Sequence, residues 1–188
     1  GEIGYAGITS PGNAPSAITV GALDMHGTAD RSDDTVTKYS SRGPAWYSGL
    51  AKPDLVAPGH RLVAVGAYNG YLYEQYPDRR VMGRSGDKKA RYLRLSGTSM
   101  AAAVTSGVVA LMLEAKNDTF HAPLTPNTVK AILEYSALPL AGADPLEQGA
   151  GGLNGAGAVR LAETIDPARA IGDWWLTAPL DASSIIDG

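Results

Sequence analysis

Apolar residues along the chain fall into two kinds of run. Short, β-branched and nearly uncharged runs are bounded by glycine and proline, and longer runs keep a helical period. Residues 16–24 read as a buried strand, and residues 52–59 as a second, held between Pro53 and Pro58. Residues 61–66 suit a further strand, and Tyr92, Leu93 and Leu95 a strand end. From Thr98 the chain turns alanine-rich, with Val104, Val108, Leu111 and Met112 on a helical period to about Lys116. Thr125-Pro126 is a cap followed by proline at the first helical position. The helix it starts carries Val129, Ile132 and Leu133 on one face and ends near Ala137. Residues 156–163 predict a short helix.

Between these elements the pattern is polar or punctuated. Residues 1–15 are glycine- and proline-rich loop, 25–38 polar loop, 39–44 a turn, and 149–157 glycine-rich. Residues 68–90 show no period and many charges, which predicts a long surface loop or hairpin. After Ile165 the pattern fades into an irregular tail with Trp174-Trp175 and Ile185-Ile186, and no internal repeat is visible.

The segment Leu95-Ser96-Gly97-Thr98-Ser99-Met100-Ala101 carries the chemistry. It reads as strand, glycine turn, serine, helix. A serine there meets unpaired N–H groups and the positive end of the helix dipole, where an oxyanion formed in acyl transfer is stabilised. The same residues have a plainer reading, in which Ser96, Thr98 or Ser99 caps the helix.

Composition narrows the classes. A chain of 188 residues supports one core. With 44% apolar and 19% charged residues it has globular composition, and a net charge of -3 argues against nucleic acid as a partner. It has no cysteine, which excludes disulfides and thiolate metal sites and is compatible with secretion. No apolar run reads as membrane-spanning. There is no signal peptide at residue 1 and no initiator methionine, so the chain is expected to be a processed or cut piece.

Several motifs in order resemble the C-terminal half of a subtilisin-like serine protease domain. They are Ser10-Pro11-Gly12, the Pro15-to-Ala22 run, Tyr39-Ser40-Ser41-Arg42-Gly43-Pro44, the Lys52-to-Gly59 run, Leu95-to-Ala101, and the Gly151-to-Ala158 segment. The resemblance covers residues 1–165, with 166–188 left as a tail. It implies an α/β fold, a mostly parallel sheet flanked by helices with the central helix starting at the nucleophile. It also implies a secreted endopeptidase with Ser99 as nucleophile, its N–H as one oxyanion donor, and Gly97 and Thr98 flanking the substrate. Thr9 and Ser10 would lie near the wall of the primary specificity pocket, and Ser10-Pro11 falls where relatives have a cis peptide. Structural calcium held by carboxylates and carbonyls of residues 12–34 is allowed, and no cofactor is required.

This chain departs from the pattern twice. Ala103 stands where relatives have proline in the first turn of the serine helix, which the helix is expected to survive. The family's aspartate, histidine and oxyanion asparagine precede the serine, and the chain is expected to begin just after that asparagine. Its three histidines, His26, His60 and His121, read as solvated loop residues, and Asp24 and Asp54 as turn formers. The chain alone is therefore expected to be inactive, completed by an N-terminal segment acting with it on polypeptides. The alternative is a catalytically dead module that self-associates or binds a partner. Either way, one sheet edge and one face of the central helix should be uncovered, with Ala101, Ala102, Ser106 and Gly107 allowing close packing.

An α/β-hydrolase esterase is a further alternative, since Gly97-to-Ala101 approaches that fold's nucleophile elbow, with only His121 following the serine. The basic run Arg79, Arg80, Arg84, Lys88, Lys89, Arg91, Arg94 reads as a solvated loop.

Overall fold

The computed structural model describes residues 4–83, 90–166, 168–170 and 172–177. The residues 16–24 run forms strand β1 (Val20–Asp24) and the 52–59 run forms β3 (Leu55–Pro58), paired in parallel. Both are buried on both faces, as their unbroken apolar character requires. Gly151 and Leu153 bond to Val56 and extend the sheet on the far side of β3, and Gly152 pairs onward with Leu138.

Three helices cover one face of this sheet. Helix α2 (Thr98–Phe120) packs on β1, β3 and α5 (Gly155–Thr164), and α5 packs in turn on α3 (Pro126–Ser136). Ala22, Leu55, Ala57, Ala101, Met112, Leu133 and Leu161 fill the core between them. Thr125 caps α3 through the Thr128 N–H, and Asn154 caps α5 through the Gly157 N–H. Leu23, Val56 and Leu140 form a smaller cluster on the opposite face, beside the short helix α4 (Pro145–Gln148).

The sequence expectations are corrected at several places. The edge of β1 is not bare along its length. Strand β2 (Thr35–Val36) pairs antiparallel with Leu23 and Asp24, Thr37 N–H donates to Ala22 O, and Ala22 N–H donates to Ser40 Oγ at 3.0 Å. Of the two readings of residues 68–90, loop or hairpin, the hairpin is the one found: the stretch holds helix α1 (Tyr71–Gln75) and strand β5 (Arg80–Met82), which pairs antiparallel with the strand that follows it. With β4 (Leu62–Val65) and β6 (Ala90–Leu95), β5 builds a separate antiparallel sheet in the order β4-β6-β5. Arg80 is half-buried over the Tyr73 ring at 4.3 Å, while Arg79 stays exposed, as the solvated reading has it, and lies over the Tyr76 ring at 4.7 Å. Arg84, Lys88, Lys89 and Ile185-Ile186 lie outside the described residues.

By length and composition, residues 98–119 are apolar enough to cross a membrane, contrary to the sequence reading. Small residues such as Ala and Gly raise their apolarity without widening the helix, and the helix carries the buried Lys116, bonded to Ile165 O. The tail returns to the domain through Leu176, which packs on the core, and through Asp166 N–H to Trp175 O; both indoles stay exposed.

Candidate active site

Two chain reversals meet at the start of α2. One ends β3 at Pro58-Gly59 and the other ends β6 at Ser96-Gly97. Gly97 N–H donates to Gly59 O at 2.8 Å, and Arg61 N–H donates to Ser96 Oγ at 2.8 Å. Ser96 is thus spent on Arg61, and Gly97 occupies the cap position with no side-chain cap bond. This overturns the reading of Ser96, Thr98 or Ser99 as a helix cap. Gly97 has φ 158° and ψ 160°, at the margin of the region that side chains disfavour, which suits glycine.

Ser99 is the second residue of α2 and is exposed. Its hydroxyl has no hydrogen-bond partner among the described residues, and neither do the N–H groups of Thr98 and Ser99. Free amides and the helix dipole therefore converge beside a free hydroxyl. Ala103 continues the helix without a break, as expected.

Thr98 lines a pocket of about 190 Å³ together with Thr9, Gly7, Gly12, Gly21 and Ser41. The structure thus brings Thr9 and Thr98 together from positions far apart in the chain. Ser10 stands next to this wall but does not line the pocket, and its bond to Pro11 is cis. The wall loop is tied down by Thr19 Oγ1, which donates to Gly12 O at 2.6 Å.

Behind the wall lies an ion cluster that the sequence reading missed. Asp54, read as a turn former, is instead buried in this cluster. Its Oδ2 accepts from Lys52 Nζ at 2.7 Å and from Thr19 N–H at 2.6 Å, and its Oδ1 lies 2.8 Å from Lys130 Nζ. Both ammoniums also donate to Ala17 O, and Lys130 reaches Pro15 O. Burial pushes the Asp54 carboxyl up, but bonds from Lys130, Lys52 and Thr19 outweigh it and hold it below the usual carboxylate range. Burial likewise pushes the Lys52 ammonium down. The signal was a lysine and an aspartate two apart at the mouth of an apolar strand, where a charge needs a partner.

None of the three histidines contacts Ser99. His26 Nε2 is 2.9 Å from Thr35 Oγ1, and its Nδ1 is 3.8 Å from Asp24 Oδ2. His60 stacks on Tyr39, with its Nε2 3.7 Å from the same Asp24 oxygen. His121 ends α2, about 33 Å from Ser99 at 1.5 Å per residue. That separation removes the esterase reading, whose base would have been His121. Asp24 does shape a turn, accepting from the His26 N–H at 2.9 Å.

In the segment read as able to hold calcium, Asp30 accepts from Ser32 N–H and Asp33 from Thr28 Oγ1. Among the described residues, no three or more His, Asp or Glu side chains are grouped to hold a metal.

The stripe of α2 that continues from Ser99 is uncovered. Ala102, Ala103, Ser106, Gly107, Ala110 and Leu113 are exposed along it, and Leu111, on the helical period with Val104, Val108 and Met112, is 54% exposed. Of the small residues expected to pack, only Ala101 is buried, against β1 and β3.

Residues 4–157 match the Subtilase family of S8 peptidases. The serine protease AprX of Bacillus subtilis (strain 168) is 40% identical over 147 residues, 78% of this chain and 30% of that protein. The subtilisin-like protease SBT4.7 of Arabidopsis thaliana is 32% identical over 107 residues, 56% of this chain and 13% of that one. Among solved structures, the prenylagaramide maturation protease PagA aligns with TM-score 0.56 and 25% identity, over 83% of this chain and 48% of that chain. The Clostridium perfringens CspB protease aligns with TM-score 0.61 and 24% identity, over 84% and 29%, and shares the fold. The chain therefore spans less than half the length of each of these relatives. The match runs through the β1–β3 sheet, the serine turn and the helices around it: the chain belongs to the subtilase family of subtilisin-like serine proteases.

Proposed function

We propose that this chain carries the nucleophile half of a subtilisin-like endopeptidase, with Ser99 as the attacking residue. The observation behind this reading is the exposed Ser99 hydroxyl beside two unpartnered N–H groups at the start of α2. A polypeptide lying against Thr98 would present its carbonyl carbon to Ser99 Oγ. The oxyanion formed on attack would be held by the Ser99 N–H and by an asparagine donor from outside this chain.

A serine hydroxyl is a weak nucleophile and gives its proton to a base as it attacks. No imidazole of this chain reaches it, so the base is a histidine on polypeptide outside these residues, oriented by an aspartate also outside them. The intermediate expels the amine, which takes the proton from the imidazolium, and leaves an ester on Ser99. Water, deprotonated by the same base, then releases the acid. The uncovered stripe of α2 that starts at Ser99 is the surface on which that polypeptide would dock.

A fluorophosphonate probe tests this, applied to the chain alone and to the chain mixed with the complementary N-terminal segment. Labelling of Ser99 only in the mixture is the expected result. Efficient labelling of the lone chain would show that one of its own histidines serves. No labelling in either sample would favour a catalytically silent binding module.

A further inference from the structure

On the sheet face opposite α2, a pocket of about 580 Å³ lies between residues 34–42 and residues 140–143. Its volume suits a small organic ligand. The polar groups that line it fall into two sets. One set is closed on itself. Arg42 Nε donates to Glu147 Oε1 and Arg42 Nη1 to Ser40 O, while Glu147 Oε2 accepts from the Asp144 N–H. The half-buried Asp24 is engaged as well, by the His26 N–H.

The other set is open. Asp34 is only 7% exposed, yet among the described residues its carboxylate accepts no hydrogen bond and makes no ion pair. Burial pushes the Asp34 carboxyl up, and the charge of Arg31 offsets this only in part. Thr37 lines the same pocket, and its Oγ1 is buried without a hydrogen-bond partner. A buried charge and a buried hydroxyl that nothing satisfies are costly to the fold, and in a cleft they mark a place where a ligand supplies the partner.

The lining says which ligand. A lone buried carboxylate calls for a cation. A bare metal ion does not fit, since among the described residues no three His, Asp or Glu side chains group to hold one. Val36, Leu140 and Ala143 give the pocket apolar wall, and Tyr39, 45% exposed, adds a ring of the kind that attracts ammonium and guanidinium groups. Lys38 is exposed at the same pocket and in no ion pair among the described residues. Its charge opposes a cation and favours an anion, so it separates the two in a test.

We propose that this pocket binds an organic cation, an alkylammonium or guanidinium group on a short apolar stem, with Asp34 as its counter-charge. The cation comes either from a free amine or guanidine or from a lysine or arginine side chain of a polypeptide. Binding there requires nothing of Ser99.

The test is calorimetric titration of the natural polypeptide at full length, carried as Ser99→Ala so that no peptide is cut. The probes are 1,4-diaminobutane, agmatine, and the N-acetyl methylamides of lysine and arginine, with that of norleucine as the uncharged control and succinate as the anion. The expected result is saturable binding of cationic probes and none of the norleucine derivative. Tighter binding of the free amines or of the blocked residues identifies the source, and either supports the site. Asp34→Asn should weaken binding about tenfold or more, Thr37→Val less, and Lys38→Ala should tighten it. Without probe, Asp34→Asn and Thr37→Val should melt no lower than the parent, because neither loses a partner. Binding of no cation, binding that Asp34→Asn leaves unchanged, or binding of succinate that Lys38→Ala abolishes would overturn the assignment. Melting of both variants well below the parent would make Asp34 and Thr37 structural and overturn it too.

Discussion

Gly97 donates its N–H to the Gly59 carbonyl at 2.8 Å, and this bond fastens the serine turn to the end of β3. The approach is close enough to require glycine at position 59. A Cβ on Gly59 would lie 2.8 Å from Ala22 Cβ and 2.9 Å from Gly97 O. Gly59→Ala therefore forces α2 away from the sheet. Overpacking of this kind costs about 1–3 kcal/mol, and here it also shifts the amides beside Ser99. The expected outcome is a lower denaturation midpoint, together with slower fluorophosphonate labelling in the completed enzyme. A variant that loses stability and labels at the parent rate would show that the turn does not set the nucleophile.

The Asp54 cluster joins three distant pieces of chain: the loop before β1, the start of β3, and α3. Removing its anion leaves Lys52 buried without its counter-charge. Asp54→Ala should cost about 3–5 kcal/mol, the penalty for breaking a buried pair. Lys130→Ala should cost less, because Lys52 still neutralises Asp54 and the Lys130 side chain is 19% exposed. Urea denaturation of the two variants checks the order, and equal losses would contradict it.

The same cluster sets part of the acid sensitivity. The Asp54 carboxyl titrates below its ordinary value of 3.8 in the folded chain, so between the two values the unfolded chain binds more protons. Its contribution is complete above about pH 4 and is lost as pH falls through the folded value. Glu134, raised above its ordinary 4.5 by burial and then by the Asp54 charge, acts in the opposite sense and blunts the upper end of this limb. Asp54→Asn should be less stable at pH 7 and show a shallower loss of melting temperature from pH 4 downward. An acid limb as steep as the parent's would assign the sensitivity to other carboxylates.

What the sequence revealed follows from how local the cause is. The Ser99 turn, α3 with its Thr125-Pro126 start, and β1 and β3 are each specified within about ten residues, and each lies where its pattern indicates. Helix α4 is marked by a capping box, Asp144 and Glu147 around Pro145, although its four residues are too few to show an apolar period. Of the partners of Asp54, Lys52 stands two residues away and is legible, but Thr19 and Lys130 lie 35 or more residues off, and no spacing rule reaches those two. Strand β5 is held by pairing to β6 and by arginines stacked on tyrosines, which leave no period. The exposure of Leu111 runs against its apolar pattern, which marks α2 as a helix built to be covered on more sides than these residues cover.

Gly107 turns that last point into a measurement. It sits mid-helix on the uncovered stripe, and a Cβ added there meets nothing within 4 Å. In the chain by itself, Gly107→Ala should therefore stabilise, by about 0.5–1 kcal/mol, through the helix propensity of alanine over glycine. If the stripe is the seat of the complementary segment, a small residue there permits close approach, and the added methyl obstructs it. The variant should then raise the melting temperature of the lone chain and weaken complementation, read as a higher segment concentration for half-maximal Ser99 labelling. Gly107→Leu should exaggerate the second effect. Unimpaired complementation by both variants would place the docking surface elsewhere, whatever their effect on the lone chain.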